Sequence, residues 1–149
     1  MTNSEIRLTR NEVIHPILLA LALTVLAEII YLVVWGMLLF PQGSFSSKFV
    51  WTMTCGIGMG SVIGVATLLL VVGRFTGWRA VFLASLIMIL VGTICSILCS
   101  QLDETFNYFG GREHRSLFLW AGFIPSIFGG PLYGWLLFSS RGRKLLGRA

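Results

Sequence analysis

Glu28 is the one acidic residue inside a long apolar run of this sequence, and the residues around it at helical spacing give it chemistry to do. Thr24, Glu28, Tyr31 and Trp35 follow one another at intervals of four, three and four, which on a helix lines them along one face. The stripe offers a hydroxyl, a carboxyl, a phenol and an indole to whatever packs against it. An ionisable group near a bilayer centre is costly unless it meets a polar or watery neighbour, so Glu28 is expected to face inward. No Lys or Arg lies at matching depth in the other apolar runs. Two states follow. Either Glu28 is a neutral carboxyl, hydrogen-bonded to a freed carbonyl or to a partner subunit, or it meets water, a proton path, a cation such as magnesium, or a substrate.

Three cysteines form the next candidate set. Cys95 and Cys99 are one helical turn apart, and Cys55 has Met59 one turn on and Met53 nearby, a set of soft ligands of the kind that holds Cu(I). The spacing is not C-x-x-C and no histidine lies at that depth, so a buried thiol acting as a small hydrophobe is the expected role. His15 and His114 fall near opposite ends of the expected bundle and do not share a site within one subunit. No Ser-His-Asp set, phosphate-binding loop or paired carboxylates occur. The reading is therefore of a protein that is not an enzyme and carries no cofactor or metal.

These residues are positioned by four apolar stretches. The first, 16–40, is about twenty-five residues long, and at ~1.5 Å rise per residue it is more than enough to cross a hydrocarbon core of ~30 Å. Thr9-Arg10-Asn11-Glu12 ahead of it matches a capping box, and Pro16 is taken as its start. Phe40-Pro41-Gln42-Gly43 ends it. The second, 49–73, carries Gly56, Gly60 and Gly64 at four-residue intervals, a face on which another backbone can approach closely. The third, 80–100, has Ala84, Met88, Gly92, Ser96 and Ser100 at the same interval. The fourth, 117–138, contains Gly129-Gly130-Pro131, so a kink or break is expected there, tolerated in lipid only where protein or water satisfies the freed carbonyls. A polar segment, 1–13, precedes the bundle and a basic tail, 139–149, follows it. Residues 101–116 are expected to form a loop, and Lys48 to lie in the connection before the second helix.

Composition agrees with this division. The chain has 149 residues, 56% hydrophobic and 11% charged, against about a quarter charged in soluble domains. Its net charge of +5 is carried by residues that flank the apolar runs, which reports topology and lipid contact and not nucleic acid. Eight basic residues (Arg7, Arg10, Arg74, Arg79, Arg141, Arg143, Lys144, Arg148) fall on the side of both termini, and three (Lys48, Arg112, Arg115) on the other. By the positive-inside rule this predicts an all-α, four-helix integral membrane protein of one domain with both termini cytoplasmic, in a bacterial inner membrane or an organellar membrane of equivalent topology.

The run Leu19-Ala20-Leu21-Ala22-Leu23 leading to Glu28-Ile29-Ile30, in the first of four short helices, resembles the small multidrug resistance exporters. That resemblance implies a homodimer in which Glu28 of both subunits exchanges protons against a lipophilic cation. It covers little more than the first helix and the architecture. The chain departs from those exporters in its greater length, its strong bias of basic residues, and the glycines and prolines of its second and fourth helices, so the likeness is one of architecture. The expected role is that of a structural, accessory or assembly subunit, docked through its glycine faces onto other membrane subunits. The alternative is an oligomeric proton-coupled transporter or channel with Glu28 as its proton site.

Overall fold

In the computed structural model, residues 9–107 and 115–147 are described, with backbone alone for 115–121. Among them there is no strand. Helix α1 spans Arg10–Tyr31 and runs directly into a π-helical segment, Leu32–Leu39; α2 spans Phe45–Leu70, α3 Gly77–Phe106, α4 Arg115–Phe138 and α5 Ser140–Leu145. Three rods, Arg10–Leu39, Phe45–Leu70 and Gly77–Phe106, are long and apolar enough to cross a membrane.

Several boundaries differ from those the sequence suggests, each for a local reason. The capping box begins α1 itself: the Glu12 carboxylate accepts from the Thr9 backbone N–H at 2.9 Å and from the Thr9 hydroxyl at 3.0 Å. Pro16 therefore lies within the helix, where it has no N–H to donate to the preceding turn. Ser44 caps α2, accepting from the Ser47 N–H, so Lys48 is helical and not in a loop. Helix α3 continues through Gln101–Phe106 and ends at Asn107 in the left-handed region, φ 55°. The first residues of the expected 101–116 loop are thus helix, with Asp103 buried; residues 108–114 lie outside the described ones. Helix α4 stays helical through Gly129-Gly130-Pro131. The basic tail is not extended: Ser139 caps α5 by accepting from the Gly142 N–H at 2.8 Å, and Arg143 Nε reaches back to the Leu137 carbonyl at 3.3 Å.

The side chains are distributed inside out relative to a water-soluble bundle. Leu18, Leu38, Val50, Leu69, Phe82 and Phe128 are exposed, while the interior, beyond a small cluster of Ile63, Met88, Tyr133 and Leu137, holds Ala20, Thr24, Thr52, Thr67, Ala84, Ser96 and Ser100. Small and weakly polar interiors with large apolar exteriors suit helices solvated by hydrocarbon, where close packing and hydrogen bonds replace the hydrophobic drive.

Two antiparallel hairpins make up the bundle. In the first, Gly64 lies against Ile17, Gly60 against Leu21 and Thr24, and Gly56 against Glu28. In the second, Gly134 lies against Val81, Gly130 against Ser85, and Ser126 against Gly92. The hairpins meet along thinner seams, α2 on α3 and α1 on α4. There Trp51 packs on Phe106 with ring centroids 5.9 Å apart, and the buried Tyr133 hydroxyl donates to the Pro16 carbonyl at 3.0 Å.

A methyl group added at Gly60 would sit 2.8 Å from Leu21 Cα and 3.1 Å from the Ala20 carbonyl, whereas one at Gly58 meets nothing within 4 Å. Gly60→Val therefore forces α1 off α2 and should cost at least the ~1–3 kcal/mol typical of overpacking. Gly58→Ala should be neutral or gain up to ~1 kcal/mol from helix propensity. Unfolding of the detergent-solubilised protein, followed by circular dichroism, checks both; equal midpoints for the two variants would contradict this account of the seam.

Candidate functional site

The seam that zips α1 to α2 also sets the surroundings of Glu28. Because Gly56 has no side chain, the aliphatic stem of Glu28 can lie over it: a Cβ there would stand 3.0 Å from Glu28 Cγ and 3.5 Å from the Thr24 carbonyl. Thr24, one turn earlier and buried, shares its one hydroxyl proton between the Gly56 carbonyl at 2.8 Å and the Ala20 carbonyl at 2.9 Å. Gly56 thus supplies both the space for the carboxyl-bearing side chain and an acceptor for its neighbour.

Beyond this contact the Glu28 side chain borders a cavity of about 80 Å³. All four long helices contribute: Thr24 and Tyr31 from α1, Met59 from α2, Met88 from α3, and Pro125 and Ser126 from α4. A site of this volume exceeds the ~10–15 Å³ one water requires, and its hydroxyls can hold waters in place. A second, smaller cavity of about 20 Å³ borders Glu28 on the α2–α3 side, with Thr52, Cys55, Ser96 and Cys99 in its wall. Among the described residues the Glu28 carboxyl makes no hydrogen bond or ion pair. It borders two small, largely apolar spaces, one with the Thr24, Tyr31 and Ser126 hydroxyls in its wall and the other with those of Thr52 and Ser96.

The stripe read from the sequence is brought only partly together. Thr24, Glu28 and Tyr31 share the larger cavity, while Trp35 stands outside it and stacks on Tyr31, with centroids 6.4 Å apart and planes 15° from parallel. The reason is the π-helical segment, which begins at Leu32 and closes with the Phe40 N–H on the Trp35 carbonyl at 2.9 Å. A wider turn changes the angular step per residue, so the seven-residue step from Glu28 to Trp35 no longer returns to one face. Of the packing glycines, Gly56, Gly60 and Gly64 face α1, and Gly92 faces Ser126 of α4. Their close approaches are made within the chain. Gly129 borders the larger cavity, and a Cβ added at Gly130 would stand 2.7 Å from the Ser85 carbonyl oxygen. His114 lies outside the described residues; His15 Nδ1 is 2.6 Å from the Asn11 carbonyl, local to α1.

The residue that sequence reasoning misplaced is Lys48. It is 2% exposed, and its ammonium donates to the Gly36 carbonyl at 2.9 Å and to the Phe40 carbonyl. A cation is there placed where a helix terminus carries partial negative charge and unpaired carbonyls. Proximity to Pro41-Gln42-Gly43, which ends the first run, was the one available sign. Ser96, Ser126 and Met88 also escape a reading for chemistry, although Met88 and Ser96 sit on the four-residue stripe of α3. Compared with protein-family models, curated proteins and solved structures, the chain matches none.

Lys48→Met keeps length and apolar stem but withdraws the ammonium from Gly36 and Phe40. Hydrogen bonds to charged groups contribute ~1.5–3 kcal/mol, and a loss of about 2 kcal/mol is expected. Amide hydrogen exchange should rise in residues 32–40 and stay unchanged in α3. Unaltered exchange at 32–40 would show that Lys48 does not hold the π-helical end.

Proposed function

We propose that this is a four-span membrane protein in which Glu28 is an intramembrane proton or small-cation site, serving a small transporter or channel. The observation that carries the reading is the Glu28 side chain, without a hydrogen bond or ion pair among the described residues, bordering a water-sized cavity to which all four long helices contribute. A carboxyl kept only for packing gains nothing from a space beside it large enough for water. Ionisable residues within spans characteristically face such cavities and mark proton or ion paths.

The proposed topology has both termini cytoplasmic, with α4 as the fourth span. The contacts Ile17–Gly64, Val81–Gly134 and Pro16–Tyr133 bring the start of α1, the end of α2, the start of α3 and the end of α4 to one end of the bundle. Arg10, Arg74, Arg79, Arg141, Arg143 and Lys144 belong to that end, which the positive-inside rule makes cytoplasmic.

The accessory-subunit reading stays as the second proposal, and the packing defines what it requires. Since Gly56, Gly60, Gly64 and Gly92 already meet partners in their own chain, docking onto other subunits would use the apolar outer faces, such as the exposed Phe123, Ile124 and Phe128 of α4.

The test is proton uptake by proteoliposomes loaded with a pH-sensitive dye. Wild-type protein should dissipate an imposed pH gradient faster than empty vesicles, and Glu28→Gln, which keeps shape and hydrogen-bonding capacity, should lower the rate at least tenfold. Wild-type rates no faster than empty vesicles, or a Gln variant as fast as wild type, would sink the proton-site reading. Co-elution of other membrane subunits with both proteins would then support the accessory one.

A further inference from the structure

The thinner seam between the two hairpins contains a contact that neither the packing nor the proposed Glu28 chemistry requires. Cys99 of α3 directs its thiol at the sulfur of Cys55 of α2, with the two Sγ atoms 3.1 Å apart. Both thiols are half-buried and free, and both border the small cavity beside Glu28. They belong to residues 44 positions apart, so local helix geometry does not account for the meeting; tertiary packing brings them face to face. A disulfide has an S–S length of about 2.05 Å, so closing the bond needs the sulfurs to approach by only about 1 Å. The third cysteine, Cys95, is one turn away on α3 and takes no part in this contact.

We propose that Cys55 and Cys99 form a site of reversible oxidation, a disulfide that ties hairpin α1–α2 to hairpin α3–α4. The co-reactant is a small apolar disulfide that can enter the bundle from the lipid phase. One cysteine, as its thiolate, attacks a sulfur of that disulfide; the S–S bond breaks, a mixed disulfide forms and one small thiol leaves with the proton. The second cysteine then attacks the protein sulfur of the mixed disulfide, releasing the second small thiol. The protein loses two hydrogens and two electrons, and the reagent is reduced to two thiols. Each hairpin is already closed by its own glycine seam, so the bond adds its restraint where the fold has least, between the hairpins. It also fixes the wall of the small cavity next to Glu28, whatever Glu28 itself does.

The test uses the Cys95→Ser protein in lipid nanodiscs, treated with 4,4′-dithiodipyridine and analysed by intact mass spectrometry and by absorbance of the released thiopyridone. The expected product is a monomeric chain that has lost two hydrogens, carries no pyridyl group and has released two equivalents of thiopyridone; reductant restores its original mass. Cys55→Ser and Cys99→Ser in the same background should each keep one pyridyl group, which shows that each thiol is reachable on its own. A chain that retains two pyridyl groups, a cross-linked dimer, or no reaction of either thiol would overturn the proposal.

Discussion

The bundle depends on backbones coming close enough to touch. With Leu18, Leu38, Phe82 and Phe128 turned outward, moving apolar side chains inward contributes little in a hydrocarbon surrounding, and association must come from van der Waals contact and hydrogen bonds between helices. Gly64 against Ile17 Cα and Gly60 against Leu21 Cα give the first hairpin that contact, and Thr24 adds a hydroxyl bond across it to the Gly56 carbonyl. The same geometry repeats in the second hairpin, where Ser85 and Ser126 pack onto glycines of the facing helix. Everything that distinguishes the centre of the molecule follows from this spacing. A residue with a side chain at 56 would meet the stem of Glu28, and the cavity beside its carboxyl would change shape.

A seam of glycines also has a cost, since glycine weakens a helix by roughly 0.5–1 kcal/mol relative to alanine. The chain offsets this by securing the helix ends. Glu12 holds the Thr9 N–H, Ser44 and Ser139 cap α2 and α5, Lys48 closes the carbonyls at the end of the π-helical segment, and Arg143 returns to Leu137 near the end of α4. The interiors of the helices are thereby free to be small and weakly polar. Hydroxyls there are satisfied one turn back along their own helix, as Thr52 on Lys48, Thr67 on Ile63 and Ser85 on Val81, so a polar interior does not require water at every position.

How much of this was legible in the sequence depended on the range of the interaction concerned. The positions of the long apolar helices, the capping box at Thr9–Glu12 and the four-residue stripe in α3 are local patterns, and periodicity reads them directly. The ends were misjudged where polar residues belong to a helix for tertiary reasons: Lys48 is helical because its ammonium has carbonyls of the preceding rod to meet, and Asp103 is buried at the far end of α3. Hydropathy alone assigns both to loops. The departure of Trp35 from the Glu28 face was illegible, because nothing in Leu32–Leu39 announces a wider turn. For the candidate site, the sequence singled out Glu28, Thr24 and Tyr31 through their spacing on one helix. It could not find Ser96 and Ser126, whose place beside the same cavities comes from pairing elements far apart in the chain.

The size of the central space then bears on what chemistry it suits. About 80 Å³ is well below the ~300–1,000 Å³ of pockets that enclose drug-sized ligands. A lipophilic cation of the kind implied by the likeness to multidrug exporters would need the hairpins to part. A proton, a few waters or a small cation would not. The seams bear unequally on such an opening: the glycine contacts within each hairpin are backbone-close, whereas α2 meets α3 through Cys55, Cys99, Trp51 and Phe106. Side-chain contacts of that kind can re-form after a small shift, and backbone contacts at a glycine seam cannot without losing the packing that holds the pair. Any change in the volume around Glu28 therefore runs along the seams between the hairpins, α2 on α3 and α1 on α4, which makes the residues of those seams, more than the glycines, the determinants of what can reach the carboxyl.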